Sequence, residues 1–149
     1  MEKTKKPVRW LRVALAALMA QLVPLLILVV TVSVYGFIIA PNQTPEFYKA
    51  FADETGKYIG PAAGTIATLG FGFWTGRHAP GQELLHGFLT GLVVAVLDAT
   101  ILVSPSAEFD TSSVLVIIAK ILAGALGGFL AKRRYENLPH DSRPGHRII

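Results

Sequence analysis

Two ionisable residues stand apart from the others in this chain. Of its 14 Lys/Arg and 10 Asp/Glu residues, only Asp98 and Lys120 fall well inside long apolar runs. A charge within a membrane span costs about 2.5–3.5 kcal/mol on insertion scales, so such groups face inward and find partners. Asp98 lies six residues before Ser104, and Lys120 lies eight after Ser112. At the helical rise these offsets are about 9 and 12 Å. The connection between the two runs is short, so the helices must pack antiparallel, and the charges share a level. Asp98 also shares a helix face with Gly91 and Gly87, as Lys120 does with Gly124 and Gly127. The pattern predicts an ion pair that locks two helices in register. Its alternatives are a proton or ion step in transport, and a Lys120 that snorkels outward alone.

Glu83-Leu84-Leu85-His86 has the Glu-x-x-His spacing of di-iron bundles, with both side chains on one face. Such a site needs further Glu and His on facing helices, and no other apolar run supplies them. His78, Glu83 and His86 instead predict a polar cluster at one membrane rim. Haem is disfavoured because both histidines sit at that same edge. Gln21 is the single amide in the first apolar run and is placed to bond across to another helix. The chain has no cysteine, no Gly-x-Ser-x-Gly, no His-Glu-x-x-His and no phosphate-binding loop. The expectation is therefore no catalytic site, no metal and no cofactor.

The elements that would position these residues are four membrane spans. Residues 13–40 carry no charge for 28 residues, about 42 Å of helix against a hydrocarbon core of about 30 Å. The run is too long for a secretory signal despite the basic residues before it, and Pro24 is a candidate bend. The second span, 59–75, repeats small residues every fourth position: Gly60, Gly64, Thr68, Gly72, Gly76. That stripe lets a neighbouring backbone come close. A re-entrant segment is the alternative, given Pro61 and so many glycines. The third span, 84–103, repeats the spacing with Gly87, Gly91, Ala95 and Ala99, and the fourth, 112–131, contains Ala123, Gly124, Gly127 and Gly128. Between the first two spans, Thr44 predicts a helix cap with Pro45 at the first helical position, and Gly56 predicts a stop. This gives a short interfacial helix over 45–56, with Phe47 and Phe51 on one face.

Basic residues set the orientation. Lys3, Lys5, Lys6, Arg9, Arg12, Arg77, Lys132, Arg133, Arg134, Arg143 and Arg147 fall on one side, and only Lys49 and Lys57 on the other. Eleven against two places both termini in the cytoplasm, with residues 1–12 a basic cytoplasmic N-terminus and 136–149 a flexible cytoplasmic tail. The same distribution accounts for the net charge of +4 without nucleic acid.

Gly60-Pro61-Ala62-Ala63-Gly64, Gly76-Arg77-His78-Ala79 and His86-Gly87-Phe88-Leu89-Thr90-Gly91 resemble small four-span bacterial membrane proteins of uncharacterised families. Those have a Gly-rich second helix, a Gly-Arg-x-Ala turn and a His-Gly-x-x-x-Gly start to the third. The resemblance implies a four-helix bundle of the bacterial plasma membrane, with no activity attached. Small multidrug transporters also have four spans, but their key glutamate lies in the first, where this chain has Gln21 and no acid. The expected architecture is an all-α membrane bundle in a lipid bilayer, as a homo-oligomer or beside other membrane subunits. Its expected role is structural or accessory, with a small transporter or channel using Asp98 and Lys120 as the alternative.

Overall fold

The computed structural model describes residues 7–102 and 111–137. Lys3, Lys5, Lys6, Glu108, Asp110, Arg143, Arg147 and the expected tail from 138 onward lie outside them. Among the described residues the fold is all-helical, with four helices in the order α1 Trp10–Val34, α2 Pro45–Arg77, α3 Glu83–Leu102 and α4 Thr111–Glu136. A π-helical turn, Tyr35–Ile39, extends α1 without a break. Three of these helices are long and apolar enough to cross a membrane: α1 with its π-turn, α3 and α4.

The exception is α2, and its composition says why. Its first half carries Glu46, Lys49, Asp53, Glu54 and Lys57, and its second half is built from Gly, Ala and Thr, which add little hydropathy. At 33 residues it is about 50 Å long. Thr44 caps it as expected: the Phe47 N–H donates to Thr44 Oγ1 at 3.4 Å, and Pro45 occupies the first turn. The expected stop at Gly56 is absent, however, and the helix runs through Gly56 and Pro61 to Arg77. No separate helix over 45–56 exists; that segment is the first third of α2. Residues 45–56 stay helical because they pack on the end of α1, where Tyr35 stacks on Phe51 with ring centres 3.9 Å apart. Tertiary contact outweighs the weak helix propensity of one glycine.

Consecutive helices alternate in direction. Arg12 reaches His78, and Leu28 lies beside Gly56, so α1 and α2 are antiparallel. Gly91 lies over Lys120 and Gly87 over Gly128, so α3 and α4 are antiparallel too. It follows that α1 and α3 run together, with Arg9 beside His86 and Gln21 beside Asp98. The bundle has a basic end, where α1 begins and α4 finishes, and an aromatic end, where α1 turns into α2.

The packed interior consists of small residues. On α1, Val13, Ala16, Ala17, Ala20 and Pro24 are buried. On α2 they are Gly64, Ala67, Thr68, Gly72, Thr75 and Gly76, and on α4 Lys120, Ala123, Gly124, Gly127, Gly128 and Ala131. These fall at three- and four-residue intervals, one stripe per helix. Because the stripes lack bulk, backbones touch. A Cβ built on Gly72 would lie 2.7 Å from the Gly124 carbonyl oxygen, one on Gly87 2.6 Å from Gly128 Cα, and one on Gly91 2.8 Å from the Lys120 carbonyl oxygen. Gly76 and Gly127 are equally confined, against Ala131 and Phe73. Gly60 departs from the expected stripe: a Cβ there would meet no described residue within 4 Å, and the close-packing stripe of α2 begins at Gly64.

Candidate functional site

Asp98 sits 15 residues into α3, about 22 Å from its start, and Lys120 comes to it from the middle of α4. The Lys120 ammonium donates to Asp98 Oδ2 at 2.7 Å. The two side chains are 6% and 16% exposed, so the pair is shielded from solvent and its attraction is poorly screened. A third member comes from α1. Gln21 follows the Ala16–Ala17–Ala20 stripe, which brings α1 close enough for its Nε2 to donate to Asp98 Oδ1 at 2.6 Å. Each carboxylate oxygen therefore accepts one bond, from a different helix.

The fourth helix contributes an absence of bulk. A Cβ at Gly64 would lie 2.9 Å from Lys120 Cε and 3.0 Å from Nζ, so a side chain there would push the ammonium away from α2. All four helices thus meet at one level around one ion pair. The pairing of Asp98 with Lys120 follows the expectation from spacing, and Gln21 bonds across as its lone amide suggested. Its partner, and the role of Gly64 as the floor beneath Lys120, were not legible. The signal was present in the fourfold spacing of the α2 stripe, but spacing gives a face and not the side chain that comes to rest on it.

His78, Glu83 and His86 lie together at the basic end, as expected, but serve three separate bonds. His86 is buried, and its Nε2 accepts the Arg9 backbone N–H at 3.2 Å. That leaves the ring proton on Nδ1, which donates to the Gln82 carbonyl at 3.0 Å. The imidazole is consumed in fastening the first turn of α1 to α3. Glu83 accepts the Gly81 N–H at 2.8 Å and closes the turn between α2 and α3, where Gly81 takes a φ of +87°. The His78 ring bonds the Trp74 carbonyl, while its own carbonyl accepts from Arg9 and Arg12. Among the described residues no group of three His, Asp or Glu side chains is arranged to hold a metal ion.

Two further contacts were missed from sequence. The buried hydroxyls of Thr75 and Thr90 lie 3.0 Å apart and link α2 to α3. The Tyr135 hydroxyl donates to the Arg77 carbonyl and ties α4 to the end of α2. Threonines in apolar runs read as small packing residues, and nothing in their spacing distinguishes a hydrogen-bonding pair from a filler.

As arranged, the triad joins α1, α3 and α4 through one ion pair and one amide hydrogen bond. It offers no nucleophile activated by a base. No known protein family, curated protein or solved structure matches this chain.

Proposed function

We propose that the chain is a four-span bundle of a bacterial plasma membrane whose interior is structural. It serves as a small accessory subunit, in several copies or beside other membrane proteins, and is not an enzyme. The observation that carries this reading is the closed seam on which the triad rests. Below it, towards the basic end, the backbones of Gly72, Gly91 and Gly124 approach too closely to admit a water-lined path. An ion pair set against such a seam locks register, and buried polar groups are best attested in that role.

In this reading α2 crosses with the others. Helices α1 and α3 run in one direction at matched depth, so the chain has to return between them, and α2 is what lies between. The charged first third of α2 extends past the hydrocarbon and rests at the interface. Arg9, Arg12, Arg77, Lys132, Arg133 and Arg134 put the basic end, and with it both termini, in the cytoplasm. The exposed faces of α1 and α4, with Leu15, Leu18, Leu22, Leu26, Leu115 and Leu122, meet lipid and neighbouring subunits.

Transport through Asp98 and Lys120 is the second reading, favoured by the partial exposure of the Asp98 side chain. One experiment separates the two. A chain carrying Asp98→Asn together with Lys120→Met should assemble to the parent's size in mild detergent and replace it in its host. A double variant that assembles normally yet does not replace the parent would put the transport reading first.

A further inference from the structure

The enclosed core ends at a single level. The last buried position on α1 is Pro24, the first on α2 is Gly64, the last on α3 is Ala95 and the first on α4 is Lys120. Beyond that level, towards the aromatic end, residues 25–34 of α1, 45–63 of α2, 96–100 of α3 and 111–119 of α4 are half-buried or exposed. Asp98, Lys120 and Gln21 therefore form the uppermost layer of the packed interior.

Directly above this layer, no described residue covers the face of α2 that meets α4. Gly60 is one turn from Gly64 and shares its face, so both look towards α4. A Cβ at Gly64 would strike Lys120, but one at Gly60 would meet no described residue within 4 Å. The triad also has hydrogen-bonding capacity to spare. Lys120 carries three N–H groups and gives one to Asp98; Gln21 gives one of its two amide N–H groups, and its carbonyl oxygen has no partner among the described residues. Pro24 has no N–H, so the Ala20 carbonyl, one residue from Gln21, lacks its regular helical donor. An ordered water needs about two to four polar partners and room to sit, and this floor offers both.

We propose that the space beside Gly60 is a water-filled vestibule, open at the aromatic end, with the Gln21–Asp98–Lys120 triad as its floor. Water on that floor completes the shells of the ammonium and the amide. The glycine seam formed by Gly72, Gly91 and Gly124 closes it below, so water and small hydrophilic solutes reach the ion pair from one side only. The vestibule goes beyond the structural role assigned to the pair and rests on the four-crossing reading.

The natural chain has no cysteine, which permits a direct test with single cysteines and a charged, membrane-impermeant methanethiosulfonate on sealed vesicles. Gly70 supplies the control, because a Cβ there also meets nothing within 4 Å, yet it lines an apolar hollow of about 450 Å³ with Val23, Ile27, Ala63, Ile66 and Phe71. Thiols react as thiolates, which need water, so Gly60→Cys should be modified at least about tenfold faster than Gly70→Cys. Val116→Cys, one turn before Lys120 on its face of α4, should behave as Gly60→Cys does, and it covers the case in which the glycine variant does not fold. Thr68→Cys, one turn below Gly64 and fully buried, should stay unmodified. Both vestibule cysteines should react from the side that labels Gln43→Cys at the aromatic end, opposite to Pro80→Cys at the basic end. Rates at Gly60 and Val116 no faster than at Gly70 would overturn the vestibule, as would rapid modification of Thr68→Cys. Labelling of Gln43→Cys and Pro80→Cys from the same side would instead break the four-crossing reading, and the vestibule with it.

Discussion

Towards the basic end, α2, α3 and α4 touch through their backbones, and residues far apart in sequence are held in van der Waals contact. Gly127 of α4 lies in the groove of α2 against Leu69 and Phe73, and Gly124 lies between Gly72 on one side and Gly87 and Gly91 on the other. Towards the aromatic end residues 25–63, 96–100 and 111–119 are all half-buried or exposed, and one local cluster stands out. There Tyr35 stacks on Phe51, and the Tyr48 hydroxyl donates to the Ala40 carbonyl at 2.7 Å while accepting the Gln43 N–H. That cluster joins only α1 to the start of α2, neighbours along the chain. One half is a long-range assembly whose glycine seam has no spare volume; the other is a hairpin tip. The ion pair lies on the boundary. In lipid, where apolar side chains gain little from meeting one another, close backbone contact is what holds helices together, so the two halves should differ sharply in their tolerance of added atoms.

The largest expected effect exploits that difference. Adding one methyl group at Gly127 places a Cβ 2.6 Å from the Phe73 nitrogen, a contact that neither backbone can relieve by rotating a side chain. Overpacking usually costs about 1–3 kcal/mol, and Gly127→Ala should reach or exceed the top of that range. The same change at Gly60 meets nothing and removes a helical glycine, so Gly60→Ala should be neutral or stabilise by about 0.4–1 kcal/mol. Thermal melts in mild detergent compare the two directly. Equal melting of both variants would erase the distinction between the halves.

Next in size is the boundary itself. Removing one member of a buried pair leaves the other charge uncompensated, at about 3–5 kcal/mol. Asp98→Asn and Lys120→Met should each fall in that range, at its lower end because Asp98 is partly exposed, and the double variant should regain most of the loss. Additive losses in the cycle would mean that the two residues act independently despite their 2.7 Å contact.

Where the halves differ in packing, they also differ in how much the sequence disclosed. Small residues at four-residue spacing are legible because the spacing is itself the cause of close approach, and the depth of two charges follows from counting turns. Hence the ion pair and most of the seam could be expected from residue order alone. The unbroken course of α2 could not. Gly56 is a breaker by local propensity, and what overrides it is the stack of nearby Phe51 on Tyr35, a residue outside α2 whose position depends on the whole hairpin. Gly60 failed for a related reason. It belongs to the stripe by spacing, but whether a neighbour fills the space opposite depends on where α4 leaves α2, which no single helix encodes.

A smaller effect is expected at the basic rim, where His86 fastens α1. Replacing it with leucine deprives the Arg9 N–H of its acceptor, and such a loss costs about 1–3 kcal/mol when the group is fully buried. Arg9 is exposed, so a loss near 1 kcal/mol is expected, confined to the first turn of α1. Hydrogen exchange should rise at residues 9–13 and remain unchanged at Gly72 and Gly124. Faster exchange across the whole seam would show that the rim and the seam are a single cooperative unit.

The smallest effect belongs to the hydroxyl pair deep in the close-packed half. Thr75 and Thr90 face each other at 3.0 Å, fully enclosed, and apolar surroundings would be expected to make such a bond strong. Each hydroxyl, however, already has an acceptor on its own helix: Thr90 reaches the His86 carbonyl at 2.8 Å, and Thr75 reaches those of Phe71 and Gly72 at 3.0 Å. When Thr75→Val removes one hydroxyl, the other stays satisfied, and the near-equal volume of valine leaves no cavity. Measured couplings between polar side chains of membrane helices average about 0.6 kcal/mol and reach about 1.7. The Thr75→Val/Thr90→Val cycle should therefore give a coupling of about 0.6 kcal/mol or less. A value near the upper figure would mean that the interhelical bond outcompetes the intrahelical ones, and that hydroxyl bonding as well as glycine contact holds α2 to α3.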